Sequence, residues 1–254
     1  LATRLVRTYL PNRWGMDGLM HSVEPKLVYT YVPDKSQDDL PLFDLFDRQI
    51  QRNDISYALV NRLTTSKTNE DGATHYRDFL NLRLSQSYRF DIDADLFDDD
   101  RPFSDVRLEL DFWPTRNVAL GVDSLIPVYG SSNLRTMRVA ASARDDAGNA
   151  AKVNYTYKDD TFQDAATDYI NFQLDTSLFR PVYVRFEERY DFRKSRELEK
   201  IVGLEYRSKC WSILLTYRGR YRQNDSKDHE VMFSFVLAGL GMNKGFGNGF
   251  GSVD

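Results

Sequence analysis

The chain has 254 residues, with 34 Lys or Arg against 38 Asp or Glu for a net charge of −4, and 41% hydrophobic and 13% aromatic residues. That length holds one large or two ordinary domains, the apolar content excludes a disordered chain, and the acidic balance excludes the basic face of a nucleic-acid binder. No stretch of 18 apolar residues occurs, which excludes transmembrane helices but not a transmembrane β-barrel, whose strands alternate lipid-facing and lumen-facing residues and average to hydrophilic.

The chain opens Leu1-Ala-Thr-Arg-Leu5, with no Met and no apolar leader. That is the expectation for a chain whose signal peptide has been removed or for a piece of a longer protein. From there a two-residue alternation predicts about twelve strands, at roughly 22–32, 53–65, 76–96, 104–113, 117–126, 133–144, 149–158, 168–178, 181–191, 198–208, 210–219 and 229–240. The row Leu80, Leu82, Leu84, Tyr88, Phe90, Ile92 against Asn81, Arg83, Ser85, Ser87, Arg89, Asp91 is the clearest, broken only by Gln86. A helix would scatter such neighbours around its axis, so the segments are strands. Most are about ten residues long, twice the usual globular strand and the length a tilted strand needs to cross a bilayer.

The connections alternate between tight ones at 114–116, 145–148, 179–180 and 208–209 and longer polar ones at 33–52, 97–103, 127–132, 159–167, 192–197 and 220–228. This is the asymmetry of outer-membrane barrels, whose periplasmic turns are short and extracellular loops long. An even strand count then places both chain ends and the turn holding Cys210 on the periplasmic side. Faces such as Val118, Leu120, Val122 and Ile213, Leu215, Tyr217 carry no charge in their central parts. That fits a lipid-facing wall and a buried sandwich core alike. The polar faces carry charges of both signs, as a water-filled lumen permits, and aromatics such as Tyr29, Tyr31, Trp113, Tyr190, Trp211 and Tyr217 sit near strand ends like interfacial girdles.

No catalytic or metal-binding constellation emerges, and no cofactor is expected. His21, His75 and His229 lack ligand spacing. Asp91, Asp93 and Asp95 begin like a calcium loop, but Leu96 stands at its turn glycine and Pro102 at its bidentate Glu, so the polar face of a strand explains them better. Asp98 to Asp100 form an acidic loop tip, and the Gly-rich stretch 239–251 has Lys244 without a following Ser or Thr, hence a tail rather than a phosphate loop. The expected division is a barrel segment, 1–241, and a tail, 242–254. Cys210 is the single cysteine. Lone cysteines are mostly small buried hydrophobes, but at a turn in an oxidising compartment its partner would lie outside this chain.

Five stretches resemble one family in order. His21-Ser-Val-Glu-Pro-Lys-Leu-Val-Tyr-Thr-Tyr-Val-Pro33, with Gln37 and Leu40-Pro-Leu-Phe-Asp44, resembles the LEP, YxYVP, DQ and PxFD signature of the lipopolysaccharide-assembly protein family LptD, also called organic solvent tolerance proteins. Asn61 to Thr64, Leu82 to Phe90, Val202 to Trp211 and the close Phe233 to Leu240 agree with it. The resemblance implies the C-terminal half of a larger barrel that inserts lipopolysaccharide into the outer leaflet of a Gram-negative outer membrane. It implies as partners a plug lipoprotein (LptE-like) in the lumen, a periplasmic lipopolysaccharide bridge through an N-terminal domain, and the barrel-assembly machinery. It places at 229–240 one side of a lateral seam, with Val231, Phe233, Phe235 and Leu237 toward lipid and Glu230, Met232, Ser234 and Val236 toward the lumen. Arg107, Glu109, Lys152, Arg185 and Glu187 are expected to face that lumen. The family commonly has adjacent cysteines at the turn before Trp211 that bridge to the N-terminal region. Lys209 holds the first position here, leaving Cys210 for one bridge. Two alternatives remain at this point: a self-contained pore for small solutes, and a soluble secreted β-protein that binds a glycan.

Overall fold

Because alternation leaves each segment one apolar and one polar side, only strands can sort them, and strands are what the chain forms. The computed structural model describes residues 1–9, 17–33, 51–90, 101–130, 134–159, 166–221 and 226–237. Among these residues thirteen strands follow one another in a single antiparallel sheet, in chain order. They are β1 (Leu5–Tyr9), β2 (Gly18–Val32), β3 (Arg52–Thr68), β4 (Thr74–Arg89), β5 (Val106–Thr115), β6 (Val118–Ile126), β7 (Thr136–Arg144), β8 (Ala150–Lys158), β9 (Thr167–Phe179), β10 (Val182–Asp191), β11 (Arg196–Arg207), β12 (Trp211–Tyr221) and β13 (Lys227–Leu237). No helix occurs among the described residues.

β2 to β13 are the twelve segments expected from alternation. The thirteenth is β1, five residues paired Leu5 to Val23 through Tyr9 to Leu19. Its five residues carry too few alternations to be read as a membrane-length strand. It runs along the part of β2 nearest the β3–β4 turn, Leu5 opposite Val23, with an isolated bridge from Ala2 to Lys26 beyond it. The 91–96 part of the third expected strand, the Asp91, Asp93, Asp95 row, Asp98 to Asp100, the Gln37 and Leu40–Asp44 motif, the 238–240 end of the last expected strand and the tail 242–254 lie outside the described residues.

The tight turns carry their own stops. Between β3 and β4, Asn69 N–H donates to the Ala73 carbonyl at 2.9 Å, and Gly72 supplies the positive φ of 79° that the reversal needs. Between β7 and β8, Asn149 N–H donates to the Asp145 carboxylate at 2.8 Å, the Asn149 amide adds a second bond, and Gly148 takes a φ of 91°. Those bonds from Asn149 hold the Asp145 carboxyl below the usual carboxylate range.

The chain divides into two compact units, Leu1–Phe112 with Asp123–Arg135, and Trp113–Val122 with Thr136–Asp254. In the first, one side of the ladder runs Pro25, Leu27, Tyr29 on β2, Ile55, Tyr57, Leu59 on β3, Leu80, Leu82, Leu84 on β4 and Leu108, Leu110, Phe112 on β5. In the second, the same kind of row runs Val153, Tyr155 on β8, Ile170, Phe172, Leu174 on β9, Val184, Phe186 on β10, Val202, Leu204, Tyr206 on β11, Ile213, Leu215, Tyr217 on β12 and Val231, Phe233, Phe235, Leu237 on β13.

Burial in both units is inverted relative to a water-soluble fold. The apolar rows are the exposed ones, with Leu27, Tyr29, Leu59, Leu204, Leu215, Phe233 and Phe235 all exposed, Phe233 at 67%. The polar rows hold the covered residues: Ser22, Asp54, Asp175, Glu205 and Thr216, each below 9%. Among the described residues the only buried apolar side chain is Val60, at 6%, and it too lies on the polar side. A β-sandwich places its apolar rows against one another. Within each unit these rows have no such partner among the described residues, as expected for a face whose solvent is apolar.

Candidate functional site

The polar face is built from charges that the alternation sets two residues apart on one strand or directly across on the next. Arg107 donates to Asp123 at 2.7 Å, stands 3.4 Å from Glu109, and Glu109 lies 3.6 Å from Arg83 across the β4–β5 ladder. Arg185 donates to Asp175 at 2.6 Å, and Gln173, between Lys152 and Glu187 in register, donates to the same carboxylate at 2.9 Å. All five residues expected toward a lumen, Arg107, Glu109, Lys152, Arg185 and Glu187, therefore lie on the polar face. The register brings the first two together in one unit and the last three in the other.

Three acids on this face are almost fully covered, each held by an arginine. Arg52 clasps Asp54 on the same strand, Arg185 clasps Asp175 across β9–β10, and Arg207 donates to Glu205 at 2.8 and 3.2 Å while its guanidinium lies 4.4 Å from the Tyr183 ring centre. Two of the three are same-strand pairs spaced by two, a signal present in the sequence as Arg52-Asn-Asp54 and Glu205-Tyr-Arg207 that alternation puts on one face. The third needed the β9–β10 register.

The apolar face is less uniform than the sequence suggests. Gln86, the break in the β4 row, accepts from the Tyr57 hydroxyl and donates to the Ser104 carbonyl at 2.9 Å, so both ends of its amide find a protein partner. Glu188 and Lys200 face each other across β10–β11 on the apolar side, with the Lys200 amine 5.3 Å from the Phe186 ring centre. The expectation of charge-free apolar faces covered only the central parts of the strands, and this pair lies outside them. The two charges sit toward the long-loop edge and oppose each other, where the penalty for a charge facing lipid falls away from the midplane. The aromatics expected at strand ends meet in clusters: Tyr155 and Tyr190 both pack on Phe192, and Tyr206 and Phe235 flank Trp211.

β13 is the terminal strand. It pairs with β12 from Tyr221–Lys227 to Trp211–Leu237, and no strand lies beyond it among the described residues. Its outer row Val231, Phe233, Phe235, Leu237 is exposed, and Glu230, Met232, Ser234 and Val236 share the polar side with Arg218, Thr216, Leu214 and Ser212. On the apolar side the Tyr217 hydroxyl lies 2.7 Å from His229 Nδ1 and passes over Gly219, where an added Cβ would meet that oxygen at 3.1 Å. The missing side chain at Gly219 is what lets Tyr217 reach across to β13. Cys210 is exposed in the turn between β11 and β12.

A family model described as LptD: LPS transport system D matches residues 4–172. The chain is 24% identical over 253 residues to the LPS-assembly protein LptD of Thiobacillus denitrificans, covering 91% of this chain and 33% of that protein. It is 26% identical to the LptD of Yersinia enterocolitica, over 93% of this chain and 34% of the relative, and 28% identical to that of Neisseria gonorrhoeae, over 88% and 31%. The chain thus spans about a third of the length of the curated relatives it matches.

Proposed function

This chain belongs to the LPS transport system D family, outer-membrane β-barrel proteins of Gram-negative bacteria that assemble lipopolysaccharide and are not enzymes, and from that premise we propose that its strands form the C-terminal part of a lipopolysaccharide-inserting barrel. The polar face is then the lumen wall, including Arg107, Glu109, Lys152, Arg185 and Glu187. It meets the sugar portion of the lipid and a plug lipoprotein, while a bridge reaching the barrel through an N-terminal domain delivers the substrate from the periplasm. Assembly into the membrane falls to the barrel-assembly machinery. The lipid leaves sideways past β13.

The observation that carries this reading is the terminal strand: an exposed apolar outer row on a strand whose far edge has no neighbour among the described residues. In lipid each unpaired backbone group costs several kcal/mol, so that edge requires a partner strand, and a partner that detaches more readily than its neighbours makes a seam. A self-contained pore fits less well. Single-chain bacterial barrels have an even number of antiparallel strands, whereas the described residues form thirteen.

The test places a photo-crosslinking residue at Ser234, on the inner side of β13, in the full-length protein in cells. Lipopolysaccharide adducts are expected, and they should disappear when transport is halted upstream; adducts that persist after that halt, or none at all, would contradict the proposal. Cys210 enters the proposal as the thiol that bridges to a segment outside these residues. A Cys210→Ser change should then abolish a mobility difference between reduced and non-reduced full-length protein, and identical mobility in the unchanged protein would leave Cys210 without that role.

A further inference from the structure

On the polar face of the first unit a trough of about 490 Å³ opens over β2 to β5. Its floor is made of small side chains, Ser56, Ala58, Ser85, Ser87 and Ser104, and its rim of long cations, Lys26, Arg83 and Arg107. The register explains the shape. Lys26 faces Ala58, Ala58 faces Ser85, and Ser85 faces Arg107, so a two-residue-wide band of small residues runs between the cations. The hydroxyls are already organised: Ser56 and Ser87 oxygens lie 2.8 Å apart, and Ser87 N–H donates to the Ser104 hydroxyl at 2.9 Å.

The charges in the trough are not equally engaged. Asp105, the single acid among its lining residues, is held by Arg135 at 2.5 Å, and Arg107 is held by Asp123 at 2.7 Å. Lys26 and Arg83 stand only 3.9 and 3.6 Å from Glu24 and Glu109, with their own side chains about half exposed. Such loose, half-solvated pairs yield easily to an oxyanion that offers shorter, charge-assisted bonds.

We propose that this trough is a binding site for an anionic, phosphate-bearing saccharide, with Lys26 and Arg83 taking the phosphate and Ser56 and Ser87 taking sugar hydroxyls. The proposal rests on the reading that this chain conducts lipopolysaccharide, and names where on the wall the charged sugar pauses. A cation-rimmed floor of hydroxyls suits that ligand better than a neutral glycan, since the one aromatic of the lining, Tyr57, belongs to the apolar row and its hydroxyl is taken by Gln86, which leaves no ring on the polar side for a sugar to stack upon.

The experiment uses the full-length protein in cells, with the photo-crosslinking residue at Ser85 and, in a parallel strain, at Ser234. Lys26→Gln with Arg83→Gln removes both cations and is expected to lower lipopolysaccharide adducts at Ser85 by about tenfold or more, a single charge-assisted contact being worth that factor. Adducts at Ser234 should remain. The charge-keeping pair Lys26→Arg with Arg83→Lys should restore the Ser85 adducts, which separates a lost ligand contact from a lost fold. Cells whose core sugars lack phosphate should show the same selective loss at Ser85. Undiminished Ser85 adducts in the Gln pair, or in the phosphate-free strain, overturn the site. Adducts absent at Ser85 but present at Ser234 in the unchanged protein also overturn it, whereas absence at both positions overturns the transport reading beneath it.

Discussion

Leu215→Arg is expected to strip the full-length protein from the outer membrane, while Leu214→Arg, one residue earlier in the same strand, leaves it assembled. Both are leucines near the middle of β12, and they differ only in the face they occupy. Leu215 stands between Leu204 and Phe233 on the exposed apolar row, at 45% exposure. An arginine facing lipid near the midplane costs about 2 to 4 kcal/mol, a large part of what holds such a barrel together. Leu214 lies between Glu205 and Ser234 on the polar side, where a guanidinium meets water and a carboxylate. Membrane levels and heat-modifiable gel mobility read the outcome. Equal loss from both changes, or loss from Leu214→Arg alone, would contradict the assignment of faces.

The second large effect is expected at Arg207. Its two bonds to Glu205 and its stacking on Tyr183 cover a carboxylate that is only 2% exposed. Arg207→Ala strips that charge of both bonds, a loss of about 1.5 to 3 kcal/mol, whereas removing both charges together relieves most of it. Unfolding in urea from detergent or lipid should therefore show a large drop for Arg207→Ala and a near-normal midpoint for Glu205→Leu with Arg207→Leu. If the double change were as damaging as the sum of the single ones, the pair would not be acting as a unit.

Most of the sheet was legible in the sequence because alternation is a local signal. Each of β2 to β13 carries enough turns of the pattern to declare itself, and the strand length and loop asymmetry carried the membrane reading. β1 escaped because five residues cannot establish a period. The five lumen-facing candidates came from parity alone, and parity put them on the polar face. The trough, the covered carboxylates and the Tyr217–His229 contact depend instead on register, the cross-strand phase that no single strand encodes. Glu188 and Lys200 show the same limit: each looks like an intruder on an apolar row until the register sets them opposite one another.

What separates a wall between lipid and water from any soluble β-protein is which row meets water. Single cysteines placed at each position from Trp211 to Gly219, in a Cys210→Ser background, can be probed in intact membranes with a membrane-impermeant maleimide. Ser212, Leu214, Thr216 and Arg218 positions should label, and Trp211, Ile213, Leu215 and Tyr217 should not, in strict alternation. Labelling of the odd positions, or uniform labelling along the strand, would show that the apolar row faces water and would overturn the account.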